Sequence, residues 1–152
     1  MSDPVSFASA TPRFALPLLY AGQSQKEVFV NEAFAALDAL LHCSVNGEAA
    51  APPSASAEGD CWIVSADPQG EWAGNPGAVA TFQGGAWRFA APRDGMRVFD
   101  LSRGQDVVFR NSWRKASNPV EPLGGMIVDG EARAAINDLV SALQALGILP
   151  SV

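Results

Sequence analysis

The stretch from residue 60 to 116 limits the fold more than any other part of the chain. It holds short runs of strand-forming residues at 61–65, 78–82, 86–90, 97–101 and 106–109, divided by turn residues. Every connection between consecutive runs is too short to hold a crossover helix, so antiparallel pairing is the economical arrangement. Gly84-Gly85 between two of the runs predicts a tight hairpin, and Arg103-Gly104 predicts another with less force. Phe82 to Trp87 and Phe109 to Trp113 each set an aromatic, a turn and a tryptophan in order. Two copies suggest related hairpins but fall short of a repeat architecture.

Two helical patterns flank this region. Val30, Phe34, Leu37 and Leu41 fall at spacings of four, three and four and share one face, widened by Ala33, Ala36 and Leu40. Gly22 and Ser24 give the entry and Asn46-Gly47 a stop, which predicts a helical segment over 22–46. Near the other end Ile136, Leu139, Leu143 and Leu146 recur at three, four and three. Asp129 serves as N-cap and Gly147 as C-cap, which predicts a helix over 129–147. A helix of that length is marginal alone, so it docks on the body or pairs with copies of itself.

The rest reads as connection. Pro4, Pro12 and Pro17 make 1–21 an extended arm, whose Phe7, Phe14, Leu16, Leu18 and Leu19 must pack on something. Ala-, Pro- and Ser-rich 47–59 is a linker, and so is 117–128. The expected fold is therefore α+β: an arm, an amphipathic helix, a small antiparallel meander or sandwich over 60–116, and a C-terminal helix after a linker.

Composition narrows the function. A chain of 152 residues, 48% apolar, has room for one cored domain, and Gly 14 with Pro 11 implies many turns. A net charge of -6 argues against nucleic-acid binding, which needs clustered cations. No run of about 18 apolar residues exists to span a membrane, and the N-terminus lacks the basic start of a signal peptide. The expectation is a protein made in the cytoplasm, with Cys43 and Cys61 reduced and buried rather than disulfide-bonded.

No catalytic constellation emerges. His42, the sole histidine, reads as a helix-end residue, and Glu58 with Asp60 as solvated turn carboxylates. The expectation is no enzyme, no cofactor and no metal site, since a lone histidine cannot build a zinc cluster. Arg110, Arg114 and Lys115 beside Trp113 read as a structural or subunit contact. Trp62 and Trp87 are expected in the core. Trp72 lies in a turn-rich stretch where packing and contact with a glycan or partner both stay open, and Trp113 is a further candidate for such contact.

The segment Leu16-Pro17-Leu18-Leu19-Tyr20-Ala21-Gly22-Gln23-Ser24-Gln25-Lys26, followed by Asn31-Glu32-Ala33 and Leu37-Asp38, resembles a domain family of unknown function. That family is found in tail-fibre-like and spike-like proteins of phages, prophages and gene transfer agents. The resemblance continues through Ala57-Glu58-Gly59-Asp60, Gly84-Gly85-Ala86-Trp87 and Pro92-Arg93-Asp94-Gly95. It runs from about Thr11 to Trp113, and the tail from Asp129 is similar to helical segments at module ends in such particles. Two departures stand out: Glu27 follows the lysine where a histidine is common, and no fibre region follows the last helix.

The resemblance implies a structural adaptor assembled into a phage-like particle, most simply an oligomeric base for a head spike or fibre. Three or five copies satisfy cyclic symmetry. Partners would be further copies of the chain, a capsid or tail protein, and a separate fibre protein held by the C-terminal helix. Expected assembly contacts are Gln23, Gln25, Lys26, Asn31, Ile136, Leu139 and Leu143. For the four polar residues, capping within the chain and hydrogen bonding across copies both stay open. The alternative is a carbohydrate-binding receptor-recognition module that uses exposed tryptophans.

Overall fold

A computed structural model describes residues 16–19, 22, 24–120, 124 and 129–151. The order is α1 (Lys26–Leu40), β1 (Ser44–Val45), β2 (Glu48–Ala49), β3 (Cys61–Val64), a single 3₁₀ turn (Gly70–Trp72), β4 (Val79–Gln83), β5 (Ala86–Ala90), β6 (Arg97–Asp100), β7 (Gln105–Arg110), β8 (Ser112–Arg114) and α2 (Gly130–Ala145). The fold is α+β. Of the expected arm only residues 16–19 are described, and Leu16, Pro17 and Leu18 there are half-buried.

The strands form two four-stranded sheets, ordered β2-β3-β4-β5 and β1-β6-β7-β8. Each has one plan. A two-residue strand pairs parallel with the first of three antiparallel strands, β2 with β3 and β1 with β6. The expected meander is therefore present, but both sheets are mixed. The parallel strands come from 44–49, which periodicity assigns to helix and linker, because two residues are too few to show a period.

Asn46-Gly47 has a different role from a helix stop. The helix closes at Leu41, whose N–H bonds the Leu37 carbonyl, and His42 then takes a left-handed conformation at φ 52°. The pair Asn46-Gly47 instead carries the chain from one sheet to the other. The Asn46 N–H bonds the Cys61 carbonyl at 2.7 Å, and the Ile63 N–H bonds the Gly47 carbonyl at 2.9 Å.

Both predicted hairpins form. Gln83 pairs Ala86 around Gly84-Gly85, whose φ values of 63° and 72° suit a two-residue hairpin turn. Glu58 reinforces this turn, its carboxylate accepting the Gly84 and Gly85 N–H groups at 2.8 and 3.0 Å. Asp100 pairs Gln105 across the second hairpin. The aromatic echo is a true structural correspondence: Phe82 faces Trp87 across β4–β5, and Phe109 faces Trp113 across β7–β8. Both pairs are edge-to-face with centroids 5.2 Å apart.

Alternation along the strands divides the core in two. Cys61 and Ile63 of β3 point with Val79 toward Val45, Val98 and Val107 of the other sheet, with Cys43 and Met96 completing this cluster. The opposite face of β3–β5 carries Ala80, with Val64 and Ala78 at its margin and Trp62, Trp87 and Phe89 beside them. The excursion between β3 and β4 folds back there and seats Trp72, which has no exposed surface, edge-on to Trp87 at 4.9 Å. The β8 hairpin is tied down by the Trp113 indole N–H, which donates to the Gly77 carbonyl at 2.8 Å.

The second helix begins as expected. Asp129 accepts the Ala132 N–H at 2.9 Å, and Gly147 turns the chain at φ +67°. The chain beyond it is sewn to the β6–β7 hairpin: the Asp106 N–H bonds the Gly147 carbonyl, the Ser151 N–H bonds the Arg103 carbonyl, and Leu149 is buried.

Candidate functional site

The surface of α1 inverts the usual rule for an amphipathic helix. No residue of α1 is buried. Its small side chains, Ala35, Ala36 and Ala39 with Leu40, line the contact with Thr81, Arg88, Phe89 and Ala90 of the β4–β5 hairpin. Phe29, Val30 and Leu40 are half-buried, whereas other large apolar side chains point away: Phe34 is 63% exposed and the C-cap Leu41 72%, with Val28 and Leu37 also exposed. An apolar stripe of this kind on a solvated helix is uncommon in a monomeric protein.

Helix α2 repeats the arrangement. It too has no buried residue, and Ile136, Leu139 and Leu146 are exposed, while Val140 and Leu143 are half-buried. Spacings of three and four set Ile136, Leu139, Leu143 and Leu146 in one seam suited to knobs-into-holes packing. Beside that seam, sharing Ile136 with it, α2 leans on the segment after β8. The Gln144 amide donates to Asn118 Oδ1 and to the Pro150 carbonyl, and a groove of about 260 Å³ runs between Pro119-Val120 and Ile136, Val140 and Gln144.

Three of the expected polar contacts are described and Gln23 lies outside the described residues. Gln25 takes a left-handed conformation at the N-cap but makes no side-chain cap hydrogen bond. Gln25, Lys26 and Asn31 are all exposed on the first turns of α1. For Gln25, capping of the helix is thereby set aside among the described residues. Ile136, Leu139 and Leu143 share a face of α2, whereas Asn31 lies on a different side of α1 from Gln25 and Lys26.

The tryptophans require a correction. Trp72 is no surface platform for a glycan or partner, because the 3₁₀ turn buries it completely against Val64, Ala78 and Ala80. Trp113 is half-buried with its N–H occupied, and Trp62 and Trp87 are half-buried against the second core cluster. No tryptophan side chain is freely exposed. Arg110 and Arg114 are exposed, whereas Lys115 approaches Glu48 at 3.6 Å.

Between α1 and the sheets lies a cleft of about 400 Å³ whose wall includes Asp38, His42, Cys43, Glu58, Cys61 and Thr81. Cys43 and Cys61 are free thiols within the shared core. Cys61 lies 3.4 Å from the Thr81 hydroxyl. The Cys43 thiol hydrogen-bonds Cys61 and draws the Cys61 pKa down to about 6; burial opposes this, Thr81 assists it, and Asp60 and Asp38 oppose it. The same hydrogen bond, then burial, then the Cys61 charge push the Cys43 thiol above its ordinary range. Sequence reading missed this pairing because 17 intervening residues separate the two cysteines and no short motif marks them.

Glu58 and Asp60 serve the fold. Asp60 accepts the Ala57 N–H and the Asn46 amide, while Glu58 holds the glycine turn. Among the described residues no group of three or more His, Cys, Asp or Glu side chains is placed to hold a metal ion. No described helix is long and apolar enough to cross a membrane.

Residues 30–114 match the family model described as "Protein of unknown function (DUF2793)". No curated protein matches the chain. The matched span begins within α1, covers both sheets and stops at the end of β8, so α2 lies outside it.

Proposed function

The chain belongs to the DUF2793 family, and from that premise and its own surface we propose that it is a structural adaptor of a phage-like particle. In this reading copies of the chain form a cyclic base of three or five subunits that attaches a head spike or fibre. It is made in the cytoplasm and assembled into the particle, contacting a capsid or tail protein on one side. The C-terminal helix receives a separate fibre protein or the same helix of neighbouring copies.

One observation carries the proposal: each helix leaves a row of large apolar side chains exposed, Val28, Phe34 and Leu37 on α1 and Ile136 and Leu139 on α2. Leaving Phe34, Leu41, Leu139 and Leu146 largely in water forgoes about 1–2 kcal/mol for each that a partner would cover completely. Two such stripes on helices that have no fully buried residue suit assembly better than catalysis. The adaptor reading also accommodates the acidic chain, which has no need to touch nucleic acid.

The carbohydrate-binding alternative loses its ground once Trp72 is internal and the other tryptophans are half-buried. The proposal is tested by quantitative mass spectrometry of particles purified from the producing cell. The expected result is a fixed number of chains per attachment point, in multiples of three or five. Replacing Leu139 and Leu143 by lysine should leave particles without the appendage. A chain that stays in the lysate and never enters particles contradicts the proposal.

A further inference from the structure

We propose that Cys43 and Cys61 form an intramolecular disulfide when the protein meets a peroxide or a disulfide oxidant, fastening the connector after α1 to β3. The two thiols belong to the same core cluster and open on the same cleft, whose volume of about 400 Å³ admits a small oxidant. Their backbones are already fixed relative to one another. The Phe99 N–H holds the Cys43 carbonyl at 2.9 Å, the Asn46 N–H holds the Cys61 carbonyl at 2.7 Å, and Cys61 is in register with Thr81. Both side chains lie on ordered backbone beside strands β1 and β3 and face the same cluster, so closing the bond needs no search by a mobile loop.

The neighbourhood assigns the order of steps. Cys61 is the attacking thiol, because hydrogen bonds from Cys43 and from the Thr81 hydroxyl favour its thiolate, while Cys43 is held protonated. With hydrogen peroxide, the Cys61 thiolate attacks one oxygen and the O–O bond breaks, giving Cys61 sulfenic acid and hydroxide. The Cys43 sulfur then attacks the Cys61 sulfur, the S–O bond breaks, and water leaves with the Cys43 proton. In sum two thiols lose two electrons and two protons, and one peroxide becomes two waters. Only the setting, exit of a particle from a reducing cytoplasm, rests on the proposed function; the bond itself does not.

The test uses the purified full chain treated with hydrogen peroxide, then denatured, alkylated and weighed intact. The expected product takes up no alkylating reagent and is lighter by two hydrogens. It yields a Cys43 peptide joined to the Cys61 peptide and regains both thiols with dithiothreitol. Persistence of both alkylatable thiols, stepwise oxygen addition without a cross-link, or cross-links only between chains would each overturn the proposal. In Cys43→Ser the Cys61 sulfenic acid has no partner and should be trapped by dimedone. An unmodified Cys61 in folded Cys43→Ser would refute its role as the attacking thiol. Should that variant not fold, the wild-type cross-link alone decides.

Discussion

Replacing Trp72 by alanine should destabilise the fold strongly through the β2–β5 sheet without touching any surface function. The side chain has no exposed area and rests against Val64, Ala78 and Ala80, with Trp87 meeting it edge-on at 4.9 Å. Burial of about 200 Å² at about 25 cal/mol per Å² sets an upper bound of about 5 kcal/mol. Truncations of buried tryptophan to alanine cost about 3–5 kcal/mol with the cavity included, so about 4 kcal/mol is expected. With a urea slope of about 2 kcal/mol per M, the midpoint should fall by about 2 M at unchanged slope. The indole N–H has no hydrogen-bond partner among the described residues, so Trp72→Phe surrenders packing but no hydrogen bond. Its cost should be about 1–2 kcal/mol, less than half that of alanine. Urea unfolding followed by far-ultraviolet circular dichroism reads both variants. A Trp72→Ala midpoint equal to wild type, together with lost glycan binding, would refute both the burial and the adaptor reading.

Three further substitutions examine other joints of the fold. Glu58→Ala removes the carboxylate that receives two turn N–H groups and should cost about 1 kcal/mol in the same unfolding assay. Gly147→Ala places a Cβ 2.9 Å from the Phe99 ring at φ +67°, so the melting temperature should drop by several degrees, about 2 kcal/mol. Gln105→Met replaces a fully buried amide whose oxygen and nitrogen both lack partners among the described residues; stability should hold or rise by about 1 kcal/mol.

The legible parts of this fold are those with a local physical cause. Asp129 and Gly147 bracket α2 because capping and left-handed turns are decided within a few residues. Gly84-Gly85 dictates a hairpin for the same reason. What escaped depends on tertiary choice. Strands β1 and β2 are two residues each and exist only because β6 and β3 offer edges to pair with. The burial of Trp72 depends on the excursion between β3 and β4 closing over one sheet face. Helix α1 was legible as amphipathic, but periodicity cannot say which flank meets the body; the alanines do, leaving Phe34 and Leu41 outside. The proximity of Cys43 and Cys61 follows from the Asn46–Cys61 backbone bond, which no spacing rule encodes.

The exposed faces of α1 and α2 are the centre of the account, and the mass of the purified full chain in solution tests them most directly. Light scattering during size exclusion, run across a dilution series at micromolar concentration, should give three or five times the 15.9 kDa of one chain. Combining Leu139→Lys with Leu143→Lys should reduce that mass while the sheet region keeps its unfolding midpoint. A monodisperse, well-folded monomer across the whole series would contradict the claim that these helices exist to be covered by neighbouring chains.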